Sequence, residues 1–126
     1  MCGIIAVLSH TNVYDFIIQG LSQIQNRGYD SAGVAYICDQ SITIHKEASD
    51  DEQLALKKIQ TQTAYIYDKT DIHMMMAHTR WATHGEKNTI NAHPHISYDK
   101  KISIIHNGII ENYEEIKLFL QTKQID

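Results

Sequence analysis

Ala32-Gly33-Val34-Ala35-Tyr36-Ile37, then Cys38-Asp39-Gln40, then Ser41-Ile42-Thr43-Ile44-His45-Lys46 is the stretch on which the fold class turns. The first run reads as a strand, and Asp39-Gln40 turns it into another over 41–46, a hairpin. Upstream, residues 2–8 are a short apolar, β-branched run that predicts a buried strand. Val13, Ile17, Leu21 and Ile24 recur at helical spacing behind a plausible N-cap, Asn12, so 13–26 predicts a helix. Arg27 to Asp30 is a loop. Downstream, Ser49 and Glu52 have capping-box spacing and predict a helix running to about residue 62. Residues 72–79 predict a strand, 80–95 a long polar loop, 101–106 a strand and 111–122 the last helix. Helices and strands that mix around a hairpin favour a layered α+β arrangement over a doubly wound sheet.

The 126 residues suit one domain with one core, and 43% of them are hydrophobic. A formal net charge of -4 leaves no basic footprint for nucleic acid or an anionic membrane. The apolar run Gly3 to Leu8 is far too short to span a bilayer. No basic residue precedes it and no cleavage pattern follows, which argues against a secretory signal. Cys2 and Cys38 are then expected to be free thiols, and the expected location is cytoplasmic. One proline and six glycines leave no linker, repeat or low-complexity tract. A polar loop of about 16 residues is unusual in a compact domain and is more often a lid or binding loop.

Three places carry candidate chemistry. Removal of Met1 would leave Cys2 with a free α-amine, whose reference pKa of about 7.7–8.0 lies just below the roughly 8.5 of a thiol. Such a nucleophile carries its own general base; the alternative is a small buried hydrophobe. In His78-Thr79-Arg80-Trp81-Ala82-Thr83-His84-Gly85, Arg80 offers a planar fork suited to a carboxylate, and Trp81 can shield a small molecule. A salt bridge and an edge aromatic are the plainer readings. Asn91-Ala92-His93-Pro94-His95 closes the loop, as packing or as contact. In His106-Asn107-Gly108-Ile109-Ile110-Glu111-Asn112, Asn107 supplies an amide donor and Gly108 an approachable N–H, a possible oxyanion hole; an ordinary Asn-Gly turn is the alternative. His78, His84, His93, His95 and His106 crowd the sequence without the helical His-x-x-x-His spacing of a zinc site, so no metal is expected.

Together the blocks Cys2-Gly3-Ile4-Ile5, Arg27-Gly28-Tyr29-Asp30-Ser31-Ala32-Gly33, 78–85, 91–95 and 106–112 resemble the class II (Ntn-type) glutamine amidotransferases. Their spelling is similar to that of the family's amino-sugar-forming branch. The resemblance spans nearly the whole chain and implies a partial Ntn-hydrolase-like αββα sandwich. It implies that Cys2 attacks the carboxamide of glutamine and that Asn107 and Gly108 form the oxyanion hole. Arg80 matches the residue that holds the substrate α-carboxylate, and Trp81, Thr83 and His84 the glutamine-binding loop. Arg27 and His93 match supporting positions with no assigned chemical step. No cofactor is implied. Ammonia would pass to an acceptor, on an acceptor-domain or isomerase partner chain.

The sequence also departs from the pattern. Asn26 stands where relatives usually have Tyr, and Lys87 where many have Pro. The family's Asp for the substrate α-amino group lies in a segment after the last helix, and the sequence ends at Asp126, which is not matched to it. Residues 1–126 are therefore expected to be the N-terminal portion of a type-2 glutamine amidotransferase domain, without its C-terminal part or the isomerase portion. The alternative expectation is a truncated, non-catalytic remnant that acts as a binding module.

Overall fold

Four antiparallel strands in the order β1-β4-β2-β3 carry the fold. They are β1 (Gly3–Leu8), β2 (Ser31–Cys38), β3 (Ser41–Ala48) and β4 (Met74–Arg80). The computed structural model describes residues 2–125. Met1 and Asp126, and with them the expected trimming of Met1, lie outside the described residues. The predicted hairpin is β2–β3, closed by Asp39 and Gln40 at φ 50° and 62°. Two successive left-handed residues give a turn whose twist matches that of the strands it joins.

Side chains alternate across a strand, so the sheet has two unlike faces. Val34, Tyr36, Met75 and Ala77, with Ile5 and Val7 partly buried, meet the helices α1 (Tyr14–Ile24) and α2 (Ala55–Thr63) in one core. Ile17, Leu21 and Ile59 are wholly buried there, and each such side chain contributes roughly 1.5–3 kcal/mol. The opposite face exposes Ile4, Leu8, Ile37 and Met74. A second, two-stranded sheet approaches it, β5 (His95–Ile96) paired with β6 (Ser103–Ile104). Ser103 Oγ reaches Met76 Sδ at 3.9 Å. The last helix, α3 (Tyr113–Thr122), buries no residue. The fold is α+β, with a helix-on-sheet half and a separate two-stranded sheet.

Several expected boundaries shift for local reasons. Asn12 does brace the start of α1, its Oδ1 accepting the Tyr14 N–H at 2.7 Å. The expected capping box does not form. Asp50 Oδ1 accepts the N–H groups of Glu52 and Gln53 at 3.1 and 2.8 Å, which holds 50–53 in a turn. Ser49 Oγ instead accepts the Ala55 N–H at 2.8 Å, so α2 starts at Ala55. The strand expected at 101–106 pairs only at Ser103 and Ile104, with β5 and not with the main sheet.

Two devices hold the long loop against the sheet. An added Cβ at Gly33 would lie 2.2 Å from the His93 carbonyl oxygen, so a side chain there would push the loop away. Lys46 of β3 donates to the carbonyls of Ile90 and Ala92 at 3.1 and 2.9 Å.

Candidate active site

The register Gly3 to Thr79 between β1 and β4 brings Cys2 beside Arg80 and Trp81. Cys2 is half-buried, and its Sγ accepts the Trp81 N–H at 3.3 Å. The thiol also lies 3.7 Å from the Trp81 carbonyl oxygen, to which it can donate. From the far end of the chain, Asn107 Nδ2 donates to the Cys2 carbonyl at 3.4 Å. The Gly108 N–H has no acceptor among the described residues. Cys2, Arg80, Trp81, Thr83, His84, His93, Asn107 and Gly108 all line one cavity of about 320 Å³, together with His78, His106 and Ile109. That volume falls at the lower end for small-molecule sites.

Arg80 is buried and makes no ion pair among the described residues. Its guanidinium donates to the carbonyls of Glu86 (2.9 Å) and His84 (2.5 Å), which curls the loop around it. Five N–H groups are available, so donors remain for an anion in the cavity. Thr83 Oγ1 and His84 Nδ1 are 3.2 Å apart at the exposed rim. The Trp81 ring is partly exposed and meets Tyr29 edge-on, at 5.4 Å between centroids. Of Trp81, the backbone is what touches the cysteine.

Arg27 ends a 3-10 turn (Gln25–Arg27) and is exposed, and its side chain does not line the cavity. The residue after it matters more to the geometry. A Cβ at Gly28 would fall 2.5 Å from the Arg80 carbonyl carbon, so only glycine lets this loop run against the strand end. His93 is brought in, packed between two other rings: His78 at 4.7 Å and His95 at 4.5 Å, both edge-on. Burial, then the neighbouring rings and cations, push the His93 pKa down to about 4. His78 and His95 are also lowered, chiefly by burial.

Sequence reasoning missed Asp30 as a functional support. Its Oδ2 accepts the Ala82 N–H at 2.7 Å, and its Oδ1 pairs with Lys87 at 2.8 Å. Burial raises its carboxyl, but Lys87, the Ala82 N–H and the Arg80 charge outweigh this and hold it below its ordinary range. No periodicity or spacing marks such a brace; it joins residues 30, 82 and 87 only in space.

No protein-family model matches the sequence. The chain is 43% identical over 126 residues to a probable glutamine–fructose-6-phosphate aminotransferase (isomerizing) of Acanthamoeba polyphaga mimivirus, covering 98% of this chain and 20% of that protein. It is 44% identical over 127 residues to the corresponding enzyme of Bacteroides thetaiotaomicron, covering 98% of this chain and 19% of that protein. The Vibrio cholerae enzyme is 44% identical over 124 residues, with the same two shares. The chain therefore spans about a fifth of the length of these relatives. Among solved structures, a glutamine phosphoribosylpyrophosphate amidotransferase from B. subtilis superposes with TM-score 0.71 at 20% identity, covering 98% of this chain and 25% of that one. That likeness is one of fold.

Proposed function

We propose that this chain, which is similar over 98% of its length to the N-terminal part of glutamine–fructose-6-phosphate aminotransferases, is a class II (Ntn-type) glutamine amidotransferase segment that binds glutamine and hydrolyses its side-chain amide. The observation that carries the proposal is one cavity lined by a cysteine thiol, a free N–H, an amide and a buried guanidinium. The Cys2 sulfur attacks the carboxamide carbon, and its proton passes to the Cys2 α-amine, free once Met1 is removed. Asn107 Nδ2 and the Gly108 N–H hold the oxyanion of the tetrahedral adduct. The amine returns the proton to the leaving nitrogen, ammonia departs, and a γ-glutamyl thioester remains. Water then cleaves the thioester, giving glutamate and the free thiol. The net change is glutamine plus water to glutamate plus ammonia.

The remaining donors of Arg80 hold the substrate α-carboxylate, with Trp81, Thr83 and His84 forming the rim. Arg27 supports the loop and takes no chemical step. Ammonia goes to a sugar-phosphate acceptor held by a further domain or an isomerase partner chain, a reading supported by the chain's span of about a fifth of its relatives' length, with residues 1–126 read as the N-terminal portion of a type-2 amidotransferase domain. Among the described residues no helix is long and apolar enough to cross a membrane. A reducing compartment, the cytoplasm, suits a site that needs a free thiol; Cys2 and Cys38 are both unpaired.

The test is direct. Met1 removal is read by mass, glutamate release is assayed, and Cys2 is labelled with a glutamine-analogue electrophile. The expected outcome is turnover and labelling in the unsubstituted protein, and neither in Cys2→Ala. A folded protein with an intact Met1, or with an unlabelled Cys2 and no turnover, sinks the catalytic reading and leaves a binding module.

A further inference from the structure

We infer that His78 is a positioning residue that fixes which end of the Asn107 amide faces Cys2. The inference rests on reading Asn107 as an oxyanion donor, and it follows from the two contacts of one amide. One end of Asn107 lies 3.4 Å from the Cys2 carbonyl oxygen. A backbone carbonyl only accepts, so that end must be the NH₂. The other end lies 2.8 Å from His78 Nε2 and is therefore Oδ1. Oδ1 only accepts, so Nε2 must carry the proton.

The other imidazole nitrogen bears this out. His78 Nδ1 is buried without a partner. A bare lone pair is the better tolerated of the two there, because orphaned buried N–H groups are rarer in folded proteins than under-satisfied acceptors. The imidazolium form would need that N–H too. Arg80 on the same strand and His95 of β5 oppose a positive charge on the ring, and the His93 ring of the loop meets it edge-on at 4.7 Å. Burial lowers the His78 pKa in the same sense. One neutral tautomer is thus selected, and it dictates the amide orientation. With the amide reversed, Oδ1 would face the Cys2 carbonyl, two acceptors would oppose each other, and the donor for the oxyanion would point away.

The test uses His78→Phe, which keeps a ring but loses the donor, and His78→Gln, which puts an amide N–H at similar reach. In the Phe variant kcat for glutamine hydrolysis should fall about 100-fold, the lower end of the range for losing one oxyanion donor, with KM for glutamine held. The Gln variant should recover most of kcat. Alkylation of Cys2 by iodoacetamide, a displacement that forms no oxyanion, should proceed at the unsubstituted rate in both. Nitrogen NMR of the unsubstituted protein at neutral pH should show His78 protonated at Nε2 alone. A Phe variant with full kcat, a loss confined to KM, a parallel loss of alkylation, or a proton on Nδ1 would each overturn the inference. If the unsubstituted protein hydrolyses no glutamine, the amidotransferase reading falls, and the NMR tautomer alone decides the His78–Asn107 contact.

Discussion

Asp30 joins three parts of the site with one carboxylate: the loop before β2, the Ala82 backbone and Lys87. Its lowered pKa makes that brace sensitive to acid. A depressed carboxylate stabilises the fold fully above its ordinary pKa of 3.8, and the contribution disappears as pH falls through the lower folded value. Asp30→Ala, which strands the Ala82 N–H and the Lys87 charge, should cost roughly 1.5–3 kcal/mol in urea unfolding. Asp30→Asn keeps an acceptor for Ala82, and the ion pair it loses is worth about 1 kcal/mol or less because Lys87 is largely exposed. Equal losses in the two variants would rule out this division. Lys87 shows why residue-scale reading stops short. In sequence it is a departure from a familiar spelling, and only the folded loop shows that the departure brings a partner for a buried acid. The residues that line the cavity were easier to read, because Cys2, Arg80, Asn107 and Gly108 belong to contiguous blocks.

At the scale of elements, the start of α2 carries more than helix energetics. Ser49 Oγ accepts the Ala55 N–H and donates to the Tyr29 carbonyl, which ties the helix to the loop beside Trp81. Ser49→Ala should lower stability by about 1 kcal/mol, as for other lost helix-start acceptors. It should also weaken protection of the Ala55 amide in hydrogen exchange, with α1 unaffected; uniform deprotection would contradict a local role. Strands with strong composition, β1 and the β2–β3 hairpin, were legible from sequence to within a residue or two. The start of α2 was not, because Ser49 and Asp50 both precede it, and Asp50 takes the Gln53 N–H while Ser49 takes that of Ala55. Nor was the shortness of β6. Ile102 and Ile104 look like strand interior, yet both are exposed, and only Ser103 and Ile104 pair, with β5.

For the whole molecule, the packed rings of His78, His93 and His95 form an uncharged layer between the main sheet and the loop. All three have pKa values below the ordinary 6.5, that of His93 at about 4. The unfolded chain binds more protons between those values, so the layer stabilises the fold fully above pH 6.5 and progressively less toward pH 4. Melting temperature should fall between pH 7 and pH 5, and the slope should flatten in His93→Gln; an unchanged slope would refute the assignment. The layered α+β architecture was readable from the hairpin and the helical spacings. How the loop is laid on the sheet was not, because no side-chain pattern records contact between two backbones. Gly33 is where that contact is made, with the His93 carbonyl occupying the place of a side chain. Its consequence is best put as a matter of permitted variation. In a saturation library selected for glutamine hydrolysis, neighbouring positions of β2 can exchange one apolar residue for another. Position 33 has no smaller residue to retreat to and no room for a larger one, so its substitution profile should collapse to a single letter.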